Sequence, residues 1–297
     1  MNQPLLVDGS NINFKLPTRE LTAMIDSHCH LLYPGLREKV DEVLESAREA
    51  LDAIITCGLP FDREKAPGFP GALESLKLAR RYSGFVFVTL GLHPTQVSEM
   101  SDEEVEEYLA FVESRRDDIV GIGEIGLDRF WIKDELEHKR AQEVFEKFLN
   151  LAEKLGKPVV IHSRKAEEEA IAVLSSYSLK KVLMHSFTGS MTAAREALDR
   201  GYLFSVNYRV TNTKTMRKIA RNFPMEAILV ETDAPFLSPD NGINTPLSVR
   251  RVAEEVARLR GTSVEEVDEA TTGNAIKFFG LEGKLAAGLK PHGASLP

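Results

Sequence analysis

Apolar residues along this chain follow two alternating rhythms. Short, nearly continuous runs rich in β-branched and aromatic residues occupy 24–28, 53–57, 85–90, 119–124, 158–162, 181–185, 202–207 and 227–233. Phe85-Val86-Phe87-Val88 and Val159-Val160-Ile161 typify them. Runs without polar alternation predict parallel strands buried on both faces. Between them the spacing turns helical. Leu73, Leu76, Leu78 and Ala79 recur near a 3.6-residue period, as do Val144, Phe145, Phe148, Leu149 and Ala152 within 135–155. Ser101 followed by Asp102, Glu103 and Glu104 predicts a capped helix start. Gly201 marks the stop of a helix opening at Met191, and Gly156-Lys157-Pro158 closes another before the next run.

Eight such strand–helix repeats in roughly 250 residues predict a TIM (β/α)8 barrel. A doubly wound open sheet usually has fewer strands and a glycine-rich first turn, and no GxGxxG follows the first run here. No internal repeat points to a solenoid. The barrel is expected over 24–280, with 1–23 as an N-terminal arm or leader and 281–297 as a loosely ordered tail carrying Gly283, Gly288, Pro291 and Gly293. Met24 could itself begin the domain.

Composition narrows the function. With 43% hydrophobic and 28% charged residues among 297, the chain supports both a sizeable core and a soluble surface. Wholesale disorder, collagen-like structure and a disulfide-built miniprotein are excluded. No stretch approaches the roughly 18–20 apolar residues of a membrane span, so no membrane partner is expected. Asp8, Lys15, Arg19 and Glu20 interrupt the first 23 residues, which contain no secretory h-region. The two cysteines, Cys29 and Cys57, form no CxxC and suit a reducing, cytoplasmic setting. A net charge of −8 argues against gripping nucleic acid with a broad basic surface. A polyanionic substrate would need a local site, either an arginine cluster or bound metal ions.

The candidate chemistry emerges when potential ligands are mapped onto the strands. His28 ends the first run and His30 lies two residues on; Glu124 ends the fourth, His162 the fifth, His185 the sixth and Asp233 the eighth. In a parallel barrel these ends converge on the face where barrel enzymes react. His28 and His30, at i and i+2 of extended chain, point to one side. Imidazoles with carboxylates suit zinc, and also manganese, iron, cobalt or nickel. Six ligands exceed what one catalytic zinc takes, so two divalent ions sharing Glu124 are expected. His28, His30, Glu124 and Asp233 would hold one, and Glu124, His162 and His185 the other. Each residue alone has a plainer reading. HxH can be a coincidence, a strand-end histidine a hydrogen-bonded structural residue, Asp233 a turn cap and Glu124 a helix-start acid. Their joint placement at corresponding strand ends favours the metal site. His93, in Gly91-Leu92-His93-Pro94 after the third run, reaches the same rim, where it would bond a phosphate or protonate a leaving group; a satisfied turn histidine is its plainer reading. His138, inside the helical run 135–155, reads as a surface residue, and His292 as part of the tail.

Read together, these motifs resemble the TatD family of metal-dependent deoxyribonucleases. The resemblance rests on Ile25-Asp26-Ser27-His28-Cys29-His30-Leu31, Gly91-Leu92-His93-Pro94 and Gly123-Glu124-Ile125-Gly126-Leu127-Asp128. It continues through Pro158-Val159-Val160-Ile161-His162-Ser163-Arg164, His185-Ser186-Phe187-Thr188-Gly189 and Val230-Glu231-Thr232-Asp233-Ala234-Pro235-Phe236. Thr271-Thr272-Gly273-Asn274 and Phe278-Phe279-Gly280 resemble the family's last helix. The resemblance spans about 24–280 and implies a barrel with a dinuclear site that hydrolyses DNA phosphodiesters. It carries ligand roles onto His28, His30, Glu124, His162, His185 and Asp233, and a place beside the substrate phosphate onto His93. The chain departs from the pattern at Ser186, where many relatives have cysteine. It departs again after Phe236, where 237–246 lacks the family's basic turn.

The expected mechanism follows from charge. Two divalent ions (zinc, magnesium, manganese or similar) roughly 3.5–4 Å apart would bring the pKa of a shared water to about 7. The resulting hydroxide attacks phosphorus in line, Asp233 orients it and accepts its proton, and His93 and Arg164 steady the phosphate. Arg129 and Arg209 follow strands four and seven and could also face the substrate, the plainer reading for each arginine being an exposed charge. HxH with a last-strand Asp also marks amidohydrolases of esters and cyclic amides. Those with a carboxylated-lysine bridge need Lys on strand four, where Glu124 stands. Hydrolysis of a carboxylic ester, such as deacylation of misacylated transfer RNA, is the alternative use of the same site. A non-catalytic, metal-bearing platform is the third reading.

Overall fold

The eight apolar runs form eight strands, paired in parallel and in sequence order. They are β1 (Met24–Cys29), β2 (Leu51–Gly58), β3 (Val86–Leu90), β4 (Gly121–Asp128), β5 (Val159–Arg164), β6 (Val182–Met184), β7 (Leu203–Val206) and β8 (Ile228–Val230). The computed structural model describes residues 24–61 and 66–286. The N-terminal arm over 1–23, the stretch 287–297 of the tail and His292 lie outside the described residues. The helices are α1 (Val40–Ala47), α2 (Pro70–Arg81), α3 (Asp102–Ser114), α4 (Glu135–Leu155), α5 (Glu167–Leu174), α6 (Met191–Asp199), α7 (Lys214–Asn222), α8 (Val249–Arg260) and α9 (Val264–Phe279). The last strand returns to the first. Asp233 N–H donates to the His28 carbonyl at 3.0 Å, His30 N–H to the Ala234 carbonyl at 2.6 Å, and the Ser27 hydroxyl to the Val230 carbonyl at 2.8 Å. The architecture is a TIM barrel, as the pattern predicts.

Local signals act where they are written. Ser101 and Glu104 make a reciprocal capping box at the start of α3, and Gly156 ends α4 in the left-handed conformation at φ +64°. The tail begins more firmly than its glycines suggest. Leu281 is buried and Ala286 N–H donates to the Gly84 carbonyl at 3.0 Å.

The core has two shells. Outward-facing strand residues such as Ile54, Val88, Ile122, Ile161, Met184 and Val230 pack beneath the helices with Leu44, Leu76, Phe148, Ala194, Ile219 and Val256. A separate inner cluster joins Ile25, Ala53, Ile55, Val160, Leu183 and Leu229 to Ala275, Phe278 and Phe279 of α9. Side chains from β1, β2, β5, β6 and β8 can meet only across the barrel axis. The inner cluster therefore fills the barrel, and α9 plugs its lower end. Two residues further on, within β5 and just past the ends of β6 and β8, His162, His185 and Glu231 follow Val160, Leu183 and Leu229. The barrel interior changes from apolar to polar within one step of the pleat.

Candidate metal centre

Strand β4 differs most from expectation. It does not stop at Glu124 but runs on to Asp128, with a register shift against β5 between Ile122 and Ile125. Glycine permits this. Gly126 pairs with His162 at φ +145°, where a Cβ would lie 1.9 Å from the His162 carbonyl oxygen. Glu124, Gly126 and Asp128 alternate with Ile125 and Leu127, both of which join the outer shell. Glu124 and Asp128 thus share a strand side with the barrel interior.

All six expected ligands converge. His28 and His30 bring their Nε2 atoms within 3.2 Å of each other. Glu124 Oε2 lies 3.6 Å from His28 Nε2 and 3.5 Å from His30 Nε2. The other oxygen, Oε1, lies 2.7 Å from His162 Nδ1 and 3.7 Å from His185 Nε2. Asp233 takes a left-handed φ of +56°, a conformation Asp tolerates better than most residues, and its Oδ1 stands 3.5 Å from His30 Nε2 and 3.8 Å from His28 Nε2. His93 also arrives, with Nε2 3.3 Å from His162 Nδ1 and 3.7 Å from Glu124 Oε1. Three donor groups have atoms mutually within 4.8 Å: His28, His30 and Glu124; His28, His185 and Asp233; and His93, Glu124 and His162. His185 therefore groups with His28 and Asp233 while its Nε2 also stands 3.7 Å from Glu124 Oε1, and His93, not His185, groups with Glu124 and His162.

This donor set fits divalent cations. Nitrogen and oxygen ligands about 2.0–2.2 Å from a common ion lie about 3–4 Å from one another, and most separations here fall in that range. Burial would raise the Glu124 carboxyl, but the adjoining His93 imidazole and hydrogen bonds from His162 and His28 hold it well below the ordinary range. Asp233 behaves alike: burial opposes ionisation, and His30, His185 and His28 overcome it. Burial and the neighbouring His185 lower His28; burial and His162 push His93 down to about 3. The carboxylates raise the other imidazoles against burial: Asp233 acts on His30, Asp128 and Glu124 on His162, and Glu231 on His185, which rises to about 9. A pocket that recruits protons this strongly has an excess of negative charge, which cations can take up in their place.

Three acids that hold the candidate ligands are absent from the sequence-derived set. Asp128 Oδ2 lies 2.8 Å from His162 Nε2, which leaves Nδ1 turned to Glu124. Glu231 Oε2 lies 2.8 Å from His185 Nδ1, while its Oε1 accepts from Asn207 Nδ2 at 2.8 Å. Asp26 accepts the Thr232 N–H at 2.9 Å, fixing the turn that presents Asp233; burial pushes its carboxyl up to about 8. The available signal was alternation, since Asp128 and Glu231 stand four and two residues from Glu124 and Asp233.

Other expectations fare differently. His138 is buried rather than on the surface, because its face of α4 turns inward and Nε2 meets Glu169 at 2.8 Å. Arg129 is engaged by Glu135 and Glu169 instead of facing a substrate. Arg209 stands in the 3-10 turn Tyr208–Thr211 beyond β7. Arg164 ends β5 with its guanidinium carbon 3.7 Å from the Phe130 ring centre.

Comparison with known proteins bears on the fold and the family. A family model described as TatD related DNase matches residues 25–280. The chain is 34% identical over 256 residues to an uncharacterized metal-dependent hydrolase of Methanocaldococcus jannaschii, covering 86% of this chain and 96% of that protein. It is 33% identical over 266 residues to the deoxyribonuclease TATDN3 of Homo sapiens, covering 86% and 94%. The crystal structure of YjjV, a TatD homologue from Escherichia coli, superposes with a TM-score of 0.76 at 28% identity, over 86% of this chain and 98% of that one. On fold, matched span and sequence identity together, the chain belongs to the TatD-related DNase family of metal-dependent hydrolases.

Proposed function

We propose that this protein hydrolyses phosphodiester bonds of DNA at a site holding two divalent ions, with Glu124 between them. One observation carries the reading: the two oxygens of Glu124 face different imidazole sets, Oε2 toward His28 and His30 and Oε1 toward His162 and His185. His28, His30 and Asp233 complete one side, and His162 and His185 the other. Divalent ions bound there would lower the pKa of a water and neutralise charge on phosphoryl oxygens.

The chain's own groups supply the rest. Asp233 is 15% exposed where Glu124 is 3% exposed, so Asp233 is the carboxylate that a water can reach. Its lowered pKa keeps Oδ1 ionised at neutral pH, ready to orient that water and take its proton. His93, pushed down to about 3, is neutral at pH 7 and is no acid for a leaving group. Its Nδ1 lies 2.6 Å from the Thr95 hydroxyl, so its role is to turn Nε2 toward the cluster and a phosphate oxygen. Arg164, on the rim beside His162, supplies a further cation for the phosphate. The catalytic unit is residues 24–280. Cys29 and Cys57, both buried free thiols, suit a cytoplasmic setting, and among the described residues no helix is long and apolar enough to cross a membrane.

The test is metal content measured beside product analysis on end-labelled single- and double-stranded DNA. The holoprotein should carry two ions per chain and cleave; complete chelation should abolish cleavage and most binding, given the net charge of −8. Glu124→Ala should lose bound metal as well as turnover. Two ions retained in that variant, or cleavage by chelated protein, would refute the assignment.

A further inference from the structure

Five large apolar side chains stand exposed among the described residues: Phe130, Trp131, Leu136, Phe236 and Ile243. They are not scattered over the helical exterior. Phe130, Trp131 and Leu136 follow β4, and Phe236 and Ile243 follow β8. In a barrel of eight strands in sequence order, the segments after β4 and β8 face each other across the mouth that holds the donor cluster. Exposed apolar surface confined to a reactive mouth marks a binding surface.

Each edge is tied physically to the centre. The Phe236 ring lies 5.8 Å from the His30 ring and 4.8 Å from Tyr33, edge-on to both. On the other side, Asp128 holds His162 through Oδ2 and accepts the N–H groups of Phe130 and Trp131 at 2.7 Å each through Oδ1. The aromatic turn and a candidate ligand therefore hang from one carboxylate. Arg164 lies over the Phe130 ring, a cation held by an aromatic face. Trp131 is 64% exposed.

We propose that these edges are nucleobase platforms. Unpaired bases flanking the scissile phosphate stack on Phe130–Trp131 at one side and Tyr33–Phe236 at the other, so the substrate is a strand whose bases are free of a duplex. The proposal rests on the phosphodiesterase reading above. Every base offers a π-face whatever its identity, so such platforms tolerate any sequence. A duplex hides those faces in its own stack and would have to fray first. Charge points the same way. At −8, with no basic residue in 237–246 on the rim, the chain has little to grip a backbone with beyond bound metal and Arg164, and stacking supplies the missing affinity.

Trp131 is the sole tryptophan, so its emission reports on its own platform. The metal-loaded full chain is titrated with a ten-nucleotide oligothymidylate joined by cleavage-resistant phosphorothioates, and with an abasic strand of the same length and linkage. Oligothymidylate should quench Trp131 and bind at least about 5-fold more tightly than the abasic strand. Phe236→Ala and Trp131→Ala, followed by anisotropy of an end label, should each weaken oligothymidylate about 5- to 100-fold. Equal affinity for the two strands would overturn the proposal. So would retained base preference in both variants, or an emission shift that tracks protein concentration without DNA, which would show a second copy of the chain covering the rim. Failure of the phosphodiesterase reading looks different: base preference and quenching persist, while unmodified strands yield no labelled product.

Discussion

An imidazole has two nitrogens, and the partner of one decides which way the other faces. Glu231 engages His185 at Nδ1 and Asp128 engages His162 at Nε2, so opposite nitrogens of the two rings are turned toward Glu124. Glu231→Gln keeps the shape and removes the charge that raises His185. Metal affinity should fall about 10- to 100-fold, with little change in melting temperature. Competition against a calibrated chelator, run beside a thermal melt, separates a positioning role from a structural one; unchanged affinity would end the assignment. The six candidate ligands were legible because strand ends of a parallel barrel share a face. Asp128 and Glu231 were not. An acid is visible in the sequence, but its contact with a given imidazole depends on the register of β4 against β5 and of β6 against the strands beyond it, which apolar runs leave open.

Among the elements, β4 shows where a pattern of residues misleads. The expected strand ends with the apolar run at Glu124, which stands between Gly123 and Gly126. In the barrel these glycines allow close approach to β5, and the strand continues to Asp128. The prediction for Gly126→Ala follows directly. Its Cβ would sit 1.9 Å from the backbone oxygen of His162 at a φ of +145°, and neither side can yield cheaply. Overpacking and backbone strain together should cost on the order of 3 kcal/mol or more. Denaturant unfolding should show that loss, and bound metal should fall with it because His162 moves; a variant of native stability would mean that β4 and β5 separate more readily than their pairing suggests. The opposite error occurs on α4, where a polar His138 reads as surface. A helix face is set by what packs against it, and Glu169 on α5 gives the buried ring a partner.

Across the whole molecule, the barrel separates stability from chemistry along its axis. The lower interior is apolar and stoppered by Phe278 and Phe279, while the upper interior is polar and charged. Charge also appears at the plugged side, where Asp52 on β2 faces Asp268 on α9. Burial first, and the Asp268 charge second, push the Asp52 carboxyl up to about 7. Unfolded, it titrates near 3.9. Between those values the folded chain keeps a proton that the unfolded chain has released, so stability from this site is complete below about pH 4 and declines as pH rises to about 7. Asp52→Asn removes the titration. The variant should match the parent near pH 4 and exceed it progressively up to pH 7, with a constant advantage above. Because Asp52 is only half-buried, solvent screening limits the gain to about 1 kcal/mol, or about 2 °C in melting temperature. Melting curves of the two proteins from pH 4 to pH 8 check the sign. A difference that is flat across that range would show that the packing of α9 neither buries Asp52 nor sets the Asp268 charge against it strongly enough to shift its titration.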